Sequence, residues 1–146
     1  MTSDSSCQQS TVAATDRYAA QPGLLVEDNV LVQQSLQHAL EVLGFPTKIA
    51  ADGNQAIAML QQEPFRFVLM DVQMPGISGI DALAIIRQLD GANSDVPVAI
   101  MSGNESESVA ATAAGADGFV IKPISVQTLG ETVRQIIARC RREHAK

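Results

Sequence analysis

Tryptophan is absent from this chain and tyrosine occurs once; with four phenylalanines, aromatics make up 3% of the 146 residues. A core must therefore be built from Ala, Val, Ile and Leu, which suits thin helices packed on a sheet. Cysteine is scarce too. Cys7 and Cys140 sit near opposite ends with no metal-ligand spacing, which excludes a disulfide framework and points to a reducing, cytoplasmic compartment. Histidine occurs twice, at His38 and His144, and neither lies near the acids that matter below, so a histidine-based catalytic or metal site is disfavoured. No apolar run approaches the roughly 18 residues of a membrane span, and the polar N-terminus lacks the basic-then-apolar pattern of a signal peptide. Positive charge is in the minority, with 10 Lys and Arg against 16 Asp and Glu, a net charge of −6 and a pI near 4.7. That balance argues against direct nucleic-acid binding.

What is present reads as one globular domain. Hydrophobic residues are 46% and charged residues 18%, and the length suffices for a core that needs no disulfide or metal. Residues 1–20 are polar, small and without periodicity, and read as a flexible tail; residues 21–142 form the body and 143–146 a short C-terminal tail. From Leu24 onward, apolar runs alternate with amphipathic stretches. Strands are expected at Leu24–Val26, Thr47–Ala50, Phe65–Met70, Val96–Met101 and Gly118–Ile121. Helices follow each, opened by Asn29, by Asp52, by a capping box at Ser78 with Asp81, near Ser106 and by Ser125. The third should reach Leu89; Gly44 and Gly115 should stop the first and fourth. The last should bury Leu129, Val133, Ile136, Ile137 and Cys140. Five consecutive β-α units imply an α/β fold with a doubly wound, five-stranded parallel sheet; in the strand order 2-1-3-4-5 of a flavodoxin-like three-layer sandwich, strands one, three, four and five would lie side by side.

In such folds the ligand site lies at the carboxyl ends of the strands. Strand one ends in Glu27-Asp28, strand three in Asp71, strand four in Ser102 and strand five in Lys122-Pro123. Three carboxylates in one pocket repel unless a cation joins them. Mg²⁺ suits oxygen ligands and retains waters, so Glu27, Asp28 and Asp71 are its expected ligands, with the backbone carbonyl of Gln73 as a further one. A carboxylate is also a nucleophile toward a phosphoryl group, a transfer that needs mainly positioning and charge neutralisation. Asp71 is the expected acceptor, Lys122 a point charge for one phosphoryl oxygen and Ser102 a hydroxyl donor for another.

Leu24-Leu25-Val26-Glu27-Asp28-Asn29, Met70-Asp71-Val72-Gln73-Met74-Pro75-Gly76 and Gly115-Ala116-Asp117-Gly118-Phe119-Val120-Ile121-Lys122-Pro123 closely resemble the response-regulator receiver domain of two-component phosphorelay signalling. The resemblance implies a Mg²⁺ site at Glu27 and Asp28, phosphorylation of Asp71, a hydroxyl switch at Ser102, an aromatic switch at Phe119, a phosphate contact at Lys122 and a cis bond before Pro123. It implies a sensor histidine kinase or histidine phosphotransfer protein as donor. The output side is a downstream protein target read from the fourth helix, fifth strand and fifth helix, a surface that also admits a dimer. Gln73 and Asn104 flank the place where the family tunes the lifetime of the acyl phosphate. Pro22-Gly23 departs from the family and suggests a shortened first strand.

The rival readings differ in chemistry. A phosphatase with an aspartyl nucleophile wants a second acid two residues on, where Gln73 stands. A flavin or dinucleotide binder wants a glycine- or hydroxyl-rich phosphate loop after strand one, where Glu27-Asp28 stand. A pseudo-receiver would not need the full set of acids, hydroxyl and lysine. The expected role is a phosphorylation-controlled module, not a turnover enzyme on a separate substrate. The expectation is either a single-domain regulator or a receiver fragment of a hybrid histidine kinase or larger regulator, since residues 1–146 carry no sequence for an output domain beyond the receiver body.

Overall fold

The computed structural model describes residues 21–91 and 93–145, without the side chains of 140–145. The polar stretch 1–20 and the Cys140 side chain lie outside that description. The chain alternates β1 (Gly23–Val26), α1 (Val30–Val42), β2 (Thr47–Ala50), α2 (Gly53–Gln62), β3 (Val68–Asp71), α3 (Gly79–Ile86), β4 (Val98–Ser102), a 3-10 turn (Glu105–Glu107), α4 (Ser108–Ala114), β5 (Gly118–Ile121) and α5 (Val126–Ala145). All strands pair in parallel, in the order β2-β1-β3-β4-β5.

Each strand of the sheet's centre is apolar on both faces because each face meets helices. Leu24 and Val26 of β1, Val68 and Met70 of β3 and Val98 and Ile100 of β4 join Ala56 and Leu60 of α2, Ala82, Leu83 and Ile86 of α3 and Ala111 of α4. The intervening Leu25, Leu69, Ala99 and Met101 join Leu36 and Leu40 of α1 and Leu129, Val133 and Ile136 of α5. The period-two alternation thus sorts one sheet into two cores. Among the described residues, no helix is long and apolar enough to cross a membrane.

The helix starts follow local chemistry. Asn29, Asp52 and Ser78 each accept a hydrogen bond from the backbone N–H three residues on, at Val32, Gln55 and Asp81. Gly44 and Gly115 take positive φ, at 94° and 109°, where α1 and α4 end. Several boundaries differ from expectation. Pro97 has no N–H, so β4 begins at Val98 and extends instead to Ser102. The run from Phe65 joins the sheet late: the Phe65 N–H donates to the Asn93 side chain, the Arg66 N–H to the Pro22 carbonyl at 2.8 Å, and the strand itself starts at Val68. Helix α3 ends at Ile86, where bonds from Gln88 and Leu89 tighten to three-residue spacing. The α4 region starts as a 3-10 turn capped by Asn104. Gly23 belongs to β1, paired with Thr47, so the first strand is as long as β2, β3 and β5 and is not shortened. An added Cβ there would lie 2.1 Å from the Phe67 ring, which explains the glycine. Helix α5 runs to Ala145, overlapping the tail expected at 143–146, in a segment of good helix formers with basic residues toward its C-terminal end.

Candidate functional site

The strand order sets the carboxyl ends of β1, β3, β4 and β5 side by side. Register then decides depth. Val26 pairs with Met70, so Glu27 and Asp71 stand one residue beyond the same rung, and Asp71 pairs with Met101 one step before Ser102.

Glu27 is 2% exposed and Asp71 5%, whereas Asp28 is exposed. One carboxylate oxygen from each of the three lies within 4.8 Å of the others. Glu27 is fixed by its neighbours: the Asn29 N–H donates to Oε2 at 3.2 Å, and Gln33 Nε2 on α1 donates to its carbonyl at 2.6 Å. The Gln73 N–H donates to Asp71 Oδ1 at 3.3 Å. Lys122, just past β5, donates through Nζ to Asp71 Oδ2 at 2.9 Å and to Glu27 Oε1 at 3.4 Å. The Lys122–Pro123 bond is cis, in line with the resemblance.

Three carboxylates around one ammonium leave a formal charge of two negative when all are ionised. Burial pushes the Glu27 carboxyl up, and the charge of Asp71 adds to this, against the Asn29 N–H and Lys122. Burial is also the largest influence on Lys122 and acts downward, but the hydrogen bond and charge of Asp71, helped by Glu27, outweigh it and hold the ammonium above its usual value. The site is thus a negatively charged cluster of oxygen donors with one cation, a donor set that fits a hard divalent ion with retained waters.

Ser102 closes β4 at 1% exposure, next to Lys122, whose N–H donates to the Ser102 carbonyl at 2.8 Å. Its hydroxyl is engaged with Glu107 and Asn104 on its own loop. Phe119 is half-buried on β5 against the core that faces α2, α3 and α4. The Gln73 side chain is exposed. His38 is exposed on α1 and does not belong to the acid cluster.

Sequence reasoning missed Gln33 and Glu107, polar residues on a helix and a turn with no pattern to mark them. It also missed Gly79. A Cβ there would lie 2.1 Å from the Asp71 carbonyl oxygen, so the α3 N-terminus rests on the backbone of the acceptor candidate, with the Gly79 N–H bonded to the Val72 carbonyl at 2.8 Å.

A family model described as the response regulator receiver domain matches residues 24–134. Response regulator MprA of Mycobacterium tuberculosis is 32% identical over 124 residues, covering 84% of this chain and 53% of that protein. MprA of Mycolicibacterium vanbaalenii is 30% identical over 118 residues, covering 80% and 50%. The chain thus spans about half the length of the curated relatives it matches. Among solved structures, chemotaxis response regulator CheY4 of Vibrio cholerae superposes with a TM-score of 0.74 at 26% identity, over 80% of this chain and 98% of that one. The receiver domain of sensor histidine kinase PA1611 of Pseudomonas aeruginosa, solved with magnesium coordinated in its active-site cleft, gives 0.74 at 28% identity, over 81% and 98%.

Proposed function

This chain belongs to the response regulator receiver domain family, and from that premise we propose that it is a phosphorelay switch whose acceptor is Asp71. The observation that carries the reading is the Lys122 ammonium on Asp71 Oδ2 inside a cluster of three carboxylates. Glu27, Asp28 and Asp71, with the backbone carbonyl of Gln73, would hold Mg²⁺, which when bound neutralises charge on the incoming phosphoryl oxygens.

A carboxylate oxygen of Asp71 attacks the phosphorus of a phosphohistidine on a sensor kinase or phosphotransfer protein. The new P–O bond forms as the P–N bond breaks, and the imidazole departs with its electron pair and takes a proton from solvent. Lys122 keeps one phosphoryl oxygen paired with a positive charge, and Ser102 donates to another. Hydrolysis returns the carboxylate, with the exposed Gln73 beside the path of water. The Ser102 and Phe119 shift biases the face of α4, β5 and α5, where Val109, Ile121 and Val126 are 77%, 41% and 53% exposed. That face would meet the downstream protein target or a second copy.

The receiver body is taken as residues 21–142, working in the cytoplasm as a regulator without turnover on a separate substrate. A receiver within a hybrid histidine kinase is the second reading, favoured by the likeness to the PA1611 receiver.

The test is intact mass after incubation with acetyl phosphate, with and without Mg²⁺. Wild type gains one phosphoryl group only with Mg²⁺, and Asp71→Asn gains none. Equal mass gain in Asp71→Asn would move the acceptor elsewhere.

A further inference from the structure

The Ser102 hydroxyl carries one proton, and that proton already has an owner. Ser102 Oγ donates to the Glu107 carboxylate oxygen Oε1, lies 3.1 Å from the Asn104 carbonyl oxygen, and accepts the Asn104 N–H at 2.9 Å. A hydroxyl has one donor and two lone pairs, so its acceptors compete. The carboxylate is the stronger of the two, because a charge-assisted bond is roughly twice as strong as a neutral one. Glu107 is not a free surface acid. It ends the 3-10 turn Glu105–Glu107, its N–H donates to the Asn104 carbonyl at 3.1 Å, and its side chain is half-buried. The Asn104 side chain accepts from Ser106 N and Oγ at 3.0 and 2.8 Å, which closes the loop on itself. Ser102 cannot donate to a phosphoryl oxygen on Asp71 without surrendering Glu107.

We propose that Glu107 is a positioning residue that holds Ser102 in the unphosphorylated arrangement and sets the free-energy cost of recruiting it to the phosphoryl group. The proposal rests on the reading of Ser102 as a phosphoryl partner. It also supplies a physical link to the output face. Glu107 immediately precedes α4, so release of its carboxylate removes a tether between the β4 end and the α4 start.

The experiment is calorimetric titration with beryllofluoride at saturating Mg²⁺, with the 19F spectrum of the bound fluorides as a second readout. Wild type is compared with Glu107→Ala, Glu107→Gln, Ser102→Ala and the Ser102→Ala/Glu107→Ala double variant. Glu107→Ala should tighten the apparent Kd about tenfold, the equivalent of one hydrogen bond to a charged group. Glu107→Gln should tighten it less, since its amide oxygen still accepts. Ser102→Ala should weaken binding and move one bound-fluoride signal, which stays in place in Glu107→Ala. In the Ser102→Ala background, removing Glu107 should change nothing. An unchanged Kd in Glu107→Ala, with Ser102→Ala weakened, overturns this proposal and leaves the role of Ser102 standing. A Glu107 effect that persists without Ser102 also overturns it, because the carboxylate then acts by another route. A silent Ser102→Ala removes the role of Ser102 itself, and the proposal falls with it.

Discussion

Glu27 is where burial and function pull in opposite directions. Its carboxyl is 2% exposed and shifted upward, first by burial and then by the charge of Asp71. A carboxyl whose folded pKa exceeds its ordinary 4.5 costs stability when ionised. That cost is absent below the unfolded value and sets in as pH rises through the folded one. In metal-free protein, Glu27→Gln should therefore be more stable than wild type at neutral pH, by about 1 kcal/mol. The advantage should shrink as pH falls toward 4.5. Urea unfolding followed by far-UV circular dichroism at a series of pH values measures this, and a stability gap constant with pH would refute it. Saturating Mg²⁺ should reverse the order, because binding to the folded state alone adds stability and wild type keeps the full ligand set. The acids and Lys122 were legible because each follows an apolar strand, where a charged residue has no packing reason to be. Glu107 and Gln33 were not, since a polar side chain on a turn or helix looks the same whether it faces water or a neighbour's hydroxyl. Asn93 was hidden likewise: it is buried, and its amide donates to the Leu60 and Glu63 carbonyls at 2.6 and 2.7 Å.

Among the elements, α3 bears most directly on the site. Its first residue, Gly79, has no room for a Cβ, because the obstruction 2.1 Å away is the Asp71 carbonyl oxygen and not the end of a flexible side chain. Gly79→Ala should cost roughly 2–3 kcal/mol through overpacking and should weaken Mg²⁺ binding, since relief requires the helix or the Asp71 backbone to move. A thermal melt with a calorimetric Mg²⁺ titration reads both; loss of stability with native Mg²⁺ affinity would show that α3 alone shifts. Helix starts were legible wherever a side-chain oxygen meets the N–H three residues on, as at Asn29, Asp52 and Ser78. Strand limits were less so. Hydrophobicity marks what is buried, whereas a ladder needs both burial and a free N–H, and Pro97 and the Phe65 N–H taken by Asn93 break that correspondence.

At the scale of the molecule the two ends of the sheet have separate work. The carboxyl end gathers the acids; right-handed crossovers made the doubly wound parallel sheet legible, but the order 2-1-3-4-5 that sets these strand ends side by side comes from the pairing itself. The amino end is fastened by Arg87, which no local pattern reveals because its partners lie up to 30 residues away. Its guanidinium donates to the Gly115 carbonyl at 2.8 and 3.1 Å, the Val96 carbonyl at 2.6 Å and Asp117 Oδ2 at 3.0 Å. Asp117 Oδ2 in turn accepts the Val98 N–H at 2.9 Å, so one side chain clasps the entries to β4 and β5. Lysine keeps the charge but not the planar fork. Arg87→Lys should therefore lose about 2 kcal/mol, the cost of part-buried carbonyls left without donors. Asp28 is exposed, so Asp28→Asn should be nearly neutral, within about 0.5 kcal/mol, without metal, yet should lower Mg²⁺ affinity. If the two ends are independent, the Mg²⁺-induced gain in stability is the same in Arg87→Lys as in wild type. The double variant Arg87→Lys/Asp28→Asn then shows the sum of the single effects within about 0.5 kcal/mol, in chemical unfolding with and without Mg²⁺. A larger coupling energy would mean that the sheet transmits strain between its ends, and that Arg87 takes part in setting the geometry of the acid cluster.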